Sequence, residues 1–283
     1  MNSKRYAIID NIRGLILISM IIYHIIWDIV YIFEKDWLWF KSDLGFVWQQ
    51  SICWGFIFLA GFCWQLGRDK LKRGLITFGA GAVVSLVTII AMPENAVRFG
   101  VLTLIGSCTL LMIIFDKAFK KINTIGGLTA ALLVSFAIFT VTRNVNDGNL
   151  GFGGLRLIWL PQEWYANLFT AYIGFPTREF VSSDYFAIFP WVFLFQTGYF
   201  LYSIIDKKYR INLNNKPSSS KKVMKNVSKA KQNNDEISVE QKQKFVDWVC
   251  DFKLPVIEWL GRHSLIVYML HQPVVYGILW LLM

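Results

Sequence analysis

Four polar residues interrupt an otherwise apolar stretch near the start of the chain, AIIDNIRGLILISMIIYHIIWD, residues 7–28. They are Asp10, Arg13, His24 and Asp28. Charged side chains at bilayer depth are costly and usually face a protein interior or a water-filled cavity. The four residues are therefore candidates for a functional site.

On an α-helix these residues form a ladder along one face. Arg13 and His24 are eleven residues apart, which leaves them on the same face and about 16 Å apart along the axis. Arginine suits phosphate, a neutral histidine can remove a proton near pH 7, and a neighbouring carboxylate can orient such a histidine. We therefore predict a phosphate anchor at Arg13 with Asp10, and a base at His24 with Asp28 one turn further on.

This separation fits a donor with a phosphate-bearing head and a long arm that ends in a reactive acyl group, such as a coenzyme A thioester. Each residue also has a structural interpretation. His24 could bond a neighbouring helix, and Asp10 and Arg13 could form an interfacial ion pair. Three further candidates for substrate binding, Arg98, Asp184 and His271, could equally be interfacial or helix-packing residues.

The elements that position these residues are membrane helices. Hydrophobic residues make up 55% of the 283 positions and charged residues only 17%, which is unlike a soluble domain. Apolar runs near the ~20 residues needed to cross hydrocarbon occur at about 14–33, 46–66, 75–92, 99–115, 124–141, 186–205 and 255–282. We expect an all-α polytopic membrane protein with seven transmembrane helices around a central cavity.

Residues 143–185 are an aromatic-rich connection, for which we expect an interfacial or re-entrant structure on the external side. If it crossed the membrane, there would be eight spans. Residues 213–244 are polar and rich in Lys, Ser and Asn, which predicts a disordered cytoplasmic linker. It would separate a transmembrane core, residues 1–212, from a final helix within 245–283.

Lys and Arg near the ends of the spans place the N-terminus in the cytoplasm, because cytoplasmic loops carry an excess of these residues. Residues 207–253 contain twelve Lys or Arg and five Asp or Glu, which accounts for +7 of the +10 net charge. Basic loops are expected beside anionic lipid. The charge therefore predicts contact with the bilayer and no nucleic-acid partner.

Several sequence blocks resemble known membrane acyltransferases. RGLILISMIIYH is similar to the Arg-x10-His pattern in the first helix of the acyltransferase family 3 proteins. The fuller resemblance is to the bacterial branch of the heparan-alpha-glucosaminide N-acetyltransferase catalytic-domain family. It is carried by the first helix together with FIFLAGFCWQLGR, VRFGVLTLIG, GFPTREFVSSDYFAIFPWVFLFQTGYFL and LGRHSLIVYMLHQPVV.

The resemblance implies an enzyme of the cytoplasmic (inner) membrane that moves an acyl group, usually acetyl, from cytoplasmic acyl-CoA to an acceptor on the far side. The acceptor would be a hydroxyl or amino group of an extracytoplasmic glycan or cell-envelope sugar. Thr103 stands where relatives often carry histidine, and the first external loop has no histidine, which leaves His24 as the base. Acetyl-CoA would be the donor substrate, and we expect no metal.

Two other classes of function remain open. A transporter of a small polar or anionic substrate would also place charges in a cavity, although no paired repeat is evident. A metal site would need His24, Asp28 and His271 to converge. For the enzyme we expect one tunnel, with Arg13 toward its internal mouth, His24 deep inside, and Asp28 and Asp184 toward its external mouth.

Overall fold

The structure, a computed structural model, describes residues 7–214 and 254–282. Apolar runs of about 20 residues satisfy their backbone polar groups internally by forming α-helices, as a bilayer requires. The helices are α1 (Ala7–Trp27) with a π-helical segment (Asp28–Ile32), α2 (Asp43–Cys63), α3 (Lys70–Ala91), α4 (Val101–Phe119), α5 (Ile125–Val141), α6 (Leu168–Ile173), α7 (Ile188–Asn214), α8 (Pro255–Arg262) and α9 (Ser264–Leu282).

Seven helical stretches in this described part of the chain are long and apolar enough to cross a membrane. They are Ala7–Ile32, Asp43–Cys63, Lys70–Ala91, Val101–Phe119, Ile125–Asp147, Ile188–Tyr209 and Ser264–Leu282. Each of them overlaps one of the seven apolar runs in the sequence. The prediction of an all-α polytopic membrane protein is confirmed.

The connection at 143–185 contains a β-hairpin and a short helix. Strands β1 (Asn149–Phe152) and β2 (Leu155–Trp159) pair antiparallel, with Phe152 opposite Leu155. Gly153 and Gly154 form the tight turn between them, and Gly153 has a positive φ of 56°, which glycine adopts without steric cost. Helix α6, only six residues long, follows. None of these elements is long enough to span a bilayer.

The last apolar run, expected to be one helix, is broken at His263. Helix α8 ends at Arg262, and α9 begins at Ser264. The backbone of His263 leaves the helical region, with φ −104° and ψ 21°. The predicted last span is present, because α9 alone is long enough to cross a membrane, although the apolar run at 255–282 contains two helices. Pro273, expected to disturb the last span, lies within α9.

The chain divides into two compact units. One unit combines the chain up to Ile52 with the chain from Tyr209 onward, and the other runs from Cys53 to Lys208. The chain passes from one unit to the other within α2 and back again within α7. Most of the predicted linker at 213–244 lies outside the described residues, so the proposed domain boundaries stay predictions.

Small residues allow close helix packing in each unit. In the first, a Cβ atom at Gly14 of α1 would clash with the carbonyl of Ile257 in α8. In the second, a Cβ atom at Gly81 of α3 would clash with Thr103 of α4. Small residues at such positions are typical of membrane helix pairs because they let backbones approach.

Helices α1 and α9 of the first unit run in the same direction. Arg262, the last residue of α8 and two residues before the start of α9, has its Nε 3.9 Å from Asp10 Oδ2 near the start of α1. Tyr276, well along α9, has its ring centroid 6.5 Å from that of Phe33, just beyond α1. Parallel spans must differ by an even number in the order of crossing. If α1 is the first crossing, α9 is therefore an odd-numbered one, which agrees with seven spans and disagrees with eight.

Candidate active site

The polar ladder of α1 is directed at helices α8 and α9. The buried positions of α1 recur every three or four residues, which is the spacing of one helical face: Ala7, Asp10, Asn11, Gly14, Leu17 and Met20. Near its start, α1 contacts α8, and toward its end it contacts α9. Two separate polar clusters result, at opposite ends of the same helix.

The first cluster surrounds Asp10, which is buried. Arg13 Nη1 lies 3.0 Å from Asp10 Oδ1 and also donates to the carbonyl of Gly261 over 3.3 Å. Arg262 approaches the other carboxylate oxygen of Asp10 and pairs with the buried Glu258 one turn earlier in α8. The ion pair that we considered as the structural interpretation of Asp10 and Arg13 is therefore present. It fastens α8 to α1.

The second cluster contains His24, Asp28 and His271. His24 is half-buried, and its ring centroid lies 4.8 Å from that of His271 in α9. Among the described residues His24 makes no hydrogen bond, so the expected contact with Asp28 one turn away is absent. His24 therefore meets its polar neighbour on another helix rather than on its own.

Asp28 is completely buried, with an exposed fraction of 0%, and it begins the π-helical segment. Such segments are rare and frequent at functional sites. Gln272 Nε2 donates to Asp28 Oδ1 over 2.7 Å. Asp28 Oδ2 and Gln272 Oε1 are buried and have no hydrogen-bond partner in the described parts of the chain. Unsatisfied buried polar atoms are uncommon and call for an explanation.

His271 is buried and has a defined tautomer. Its Nδ1 lies 2.5 Å from the carbonyl oxygen of Tyr268. A carbonyl oxygen only accepts hydrogen bonds, so Nδ1 carries the hydrogen and, in the neutral ring, Nε2 carries the lone pair. This Nε2 is also buried without a hydrogen-bond partner among the described residues. Three acceptor atoms, on Asp28, His271 and Gln272, are thus available to hydrogen-bond donors of a ligand.

Arg98 and Asp184 belong to the other unit, where their loops are joined. The backbone N–H of Arg98 donates to Ser182 Oγ over 2.8 Å, and Ser182 Oγ donates back to the carbonyl of Arg98. Asp184 Oδ2 accepts from the N–H of Val101, at the start of α4, over 3.3 Å. Within the described residues, no ion pair joins the exposed side chain of Arg98 to Asp184.

Asp184 lies outside the membrane-spanning helices and is partly buried. Burial raises the pKa of its carboxyl group to about 6, and the hydrogen bond from Val101 opposes this rise. Asp184 therefore has an identifiable structural role, because an acceptor at a helix N-terminus satisfies a backbone donor that has no partner within the helix.

No group of three or more His, Cys, Asp or Glu side chains in the described ranges is arranged to hold a metal ion. His24, Asp28 and His271 do not form such a group. The arrangement of these residues instead offers nitrogen and oxygen atoms for hydrogen bonding and proton transfer.

The sequence of the chain also matches a known protein family. A sequence model of a family described as "Heparan-alpha-glucosaminide N-acetyltransferase, catalytic" matches residues 5–234, more than half of the 283-residue chain. The chain belongs to this family. Membership supports acetyltransferase activity in a membrane protein whose described residues contain seven candidate spans. No curated protein and no solved structure matches the chain.

In this member of the heparan-alpha-glucosaminide N-acetyltransferase family, sequence reasoning missed three polar neighbours of the candidate residues. They are Gln272, which holds Asp28, and Glu258 and Arg262, which complete the cluster at Asp10. Gln272 directly follows the candidate His271 in a span, and a polar pair at bilayer depth was a usable signal. Glu258 and Arg262 gave no such signal, because they precede the last span.

Proposed function

We propose that this chain transfers an acetyl group from cytoplasmic acetyl-CoA to a hydroxyl or amino group of an extracytoplasmic glycan or cell-envelope sugar, with His24 as the base. The cluster of His24, Asp28 and His271 is the observation that supports this reaction most directly. A half-buried histidine lies there beside buried acceptor atoms that have no hydrogen-bond partner in the described parts of the chain. Family membership supports the choice of acetyl transfer.

His24 removes the proton from the acceptor's O–H or N–H group while that oxygen or nitrogen attacks the thioester carbonyl carbon. The new bond to the acetyl group forms, the carbon–sulfur bond breaks, and coenzyme A leaves as a thiolate. The thiolate then takes up the proton. An acetyl-histidine intermediate on His24 is the rival course, in which the acetyl group is transferred twice.

Arg13 is proposed to bind a phosphate of the donor at the cytoplasmic mouth, with Asp10 fixing the orientation of its guanidinium group. The 3.0 Å contact between the two side chains and the partial exposure of Arg13, 24% of its side chain, are compatible with this role. From Arg13 to His24 the helix rises about 16 Å, roughly half of the hydrocarbon core. A donor arm can cover this distance from the inside.

Asp28 is proposed to receive the acceptor group, because its second carboxylate oxygen has no hydrogen-bond partner among the described residues and can accept a bond from that group. His271 is proposed to form the wall of the site behind His24. For Arg98 and Asp184, in the other unit, a role in substrate binding stays a prediction. The exposure of the Arg98 side chain supports this prediction.

The test uses the purified full-length protein in proteoliposomes with labelled acetyl-CoA and envelope glycan fractions. We expect acceptor-dependent release of the coenzyme A thiol and labelling of a glycan. His24→Ala should lower turnover about 10²- to 10⁴-fold, the usual contribution of a positioned base. His263→Ala, which changes an exposed histidine at the start of α9, should not.

Wild-type turnover in folded His24→Ala protein would overturn His24 as the base. Failure of the wild-type protein to acetylate any envelope fraction, together with solute uptake by the same proteoliposomes, would overturn the enzyme in favour of a transporter.

A further inference from the structure

The proposed base lacks the partner that a catalytic histidine ordinarily has. A carboxylate or carbonyl usually orients such a ring and stabilises its charge after it takes a proton. Asp28 is the nearest carboxylate along α1, but its hydrogen bond comes from Gln272, and His24 makes no hydrogen bond among the described residues. The polar group that His24 does contact is the ring of His271.

His271 is arranged to accept a proton. Its Nδ1–H is directed to the carbonyl of Tyr268, so its lone pair is on Nε2. Nε2 is buried without a hydrogen-bond partner in the described chain. His24 is half-buried, whereas His271 is only 8% exposed. His24 is therefore the more accessible ring, and His271 lies behind it.

We propose that His271 takes over the acceptor's proton from His24, so that His24, His271 and the Tyr268 carbonyl form a proton relay. This inference rests on the proposed function, since it specifies where the proton goes in that reaction. The carbonyl holds the fixed end of the relay. The two rings make no hydrogen bond to each other among the described residues, but their centroids are only 4.8 Å apart, so a rotation of the His24 ring brings one of its N–H groups to Nε2 of His271 during the reaction.

The relay conserves every proton. His24 gains the acceptor's proton on one ring nitrogen and releases the proton of its other ring nitrogen to Nε2 of His271. His24 is then neutral in its other tautomer, and His271 is an imidazolium ion with both nitrogens protonated. When the carbon–sulfur bond breaks, the proton returns by the same route to the coenzyme A thiolate.

His271 acts through His24 and is a positioning residue, so its test must separate this role from simple packing. His271→Asn keeps an amide N–H near the position of Nδ1, and His271→Gln keeps an amide near the position of Nε2. Neither amide takes up a proton. We expect both variants to lower kcat about 10²-fold, at the low end of the contribution of a proton-transfer group, and to leave the KM for acetyl-CoA unchanged.

His263→Gln is the matched control. His263 also places its Nδ1 against a backbone carbonyl one turn earlier, that of Trp259, at 2.9 Å. It is exposed and at the start of the same helix. This variant should keep the wild-type kcat.

A second measurement does not depend on whether the His271 variants fold. Nitrogen-15 spectra of histidine-labelled wild-type protein in lipid should show His271 with a protonated Nδ1 and an unprotonated Nε2. A protonated Nε2 in the neutral ring would overturn the relay. So would wild-type kcat in folded His271→Gln protein.

The failures of the relay and of the proposed function are distinguishable. If wild-type protein transfers acetyl groups, His24→Ala is inactive and His271→Gln is fully active, only the relay is overturned. If wild-type protein transfers no acetyl group, the proposed function fails, whatever the tautomer of His271.

Discussion

Asp28 and Asp116 are buried carboxylates in the two different units, and their surroundings contrast. Asp116, in α4, accepts a hydrogen bond from Tyr199 over 2.8 Å and pairs with Lys120 at 2.6 Å. Each of the two carboxylate oxygens of Asp116 therefore has a partner. Asp28 accepts one hydrogen bond, from Gln272, and its second oxygen has none among the described residues.

The same contrast extends over the two units. In residues 53–208, all of which the structure describes, no fully buried side-chain nitrogen or oxygen atom lacks a hydrogen-bond partner. In the first unit, Asp28, His271 and Gln272 each have such an atom without a hydrogen-bond partner among the residues that the structure describes. Stability alone favours a hydrogen-bond partner for every buried polar atom. Buried polar atoms without partners concentrate at functional sites. This difference supports the proposal that the reaction takes place in the first unit and that Asp116 has a structural role.

Among the variants that test this comparison, Asp28→Asn should have the largest effect on activity. The amide is the same size as the carboxylate and can still accept the bond from Gln272, but it places a donor where Asp28 Oδ2 was an acceptor. We expect turnover to fall about 10²-fold or more and the thermal unfolding temperature not to fall, because a buried charge is removed. Unchanged turnover with a lower unfolding temperature would show that Asp28 has a structural role and not a functional one.

Arg13→Ala tests whether a satisfied cluster of the first unit also takes part in function. Loss of a charge-assisted contact costs about 1.5 to 3 kcal/mol, so we expect the KM for acetyl-CoA to rise about tenfold or more. Lys41→Ala, which removes a cation of an exposed ion pair with Asp36, is the control and should leave this KM unchanged. A normal KM with a reduced unfolding temperature would mean that Arg13 serves only to fasten α8.

Asp116→Asn makes in the second unit the same substitution as Asp28→Asn. It removes the charge that binds Tyr199 and Lys120, which should lower the free energy of unfolding by about 1 to 3 kcal/mol. We expect a lower unfolding temperature in detergent and an unchanged kcat of the folded protein. Loss of kcat without loss of stability would show that satisfied carboxylates also carry the chemistry.

Asp184 gives the smallest predicted effect, which is a pH dependence of stability. Its folded-state pKa of about 6 is above the ordinary value of an aspartate, about 3.9. The folded protein therefore binds this proton more tightly than the unfolded chain does. Its contribution is complete below about pH 4 and is lost as the pH rises through 6. Asp184→Asn should reduce the change of the unfolding temperature with pH between pH 4 and 7. The same pH dependence in the variant and the wild-type protein would contradict the raised pKa of Asp184.

The spans were predictable because a membrane helix is encoded locally, by about 20 consecutive apolar residues. Helical geometry in the same way predicts that Arg13 and His24 share a face and how far apart they lie along the helix axis. The break at His263 was missed because the apolar residues of α8 and α9 follow one another closely enough to be taken as a single run over 255–282. The hairpin was missed although Gly153 and Gly154 are a typical two-residue turn between β-strands.

The partners of the site residues could not be predicted from local pattern. Asp28 and Gln272 are 244 residues apart, and the sequence contains no period or motif that links them. The expectation that Asp28 would meet His24 used the nearest spacing on one helix. The fold instead gives each of them a partner on α9.

The parallel course of α1 and α9 restricts how relatives of this protein can change their architecture. A single extra crossing inserted between these helices would invert α9 in the bilayer and carry His271 away from the level of His24. Two extra crossings, or any number added before α1 or after α9, would preserve the pairing. During evolution, helices can therefore be gained or lost between the two histidines only in pairs.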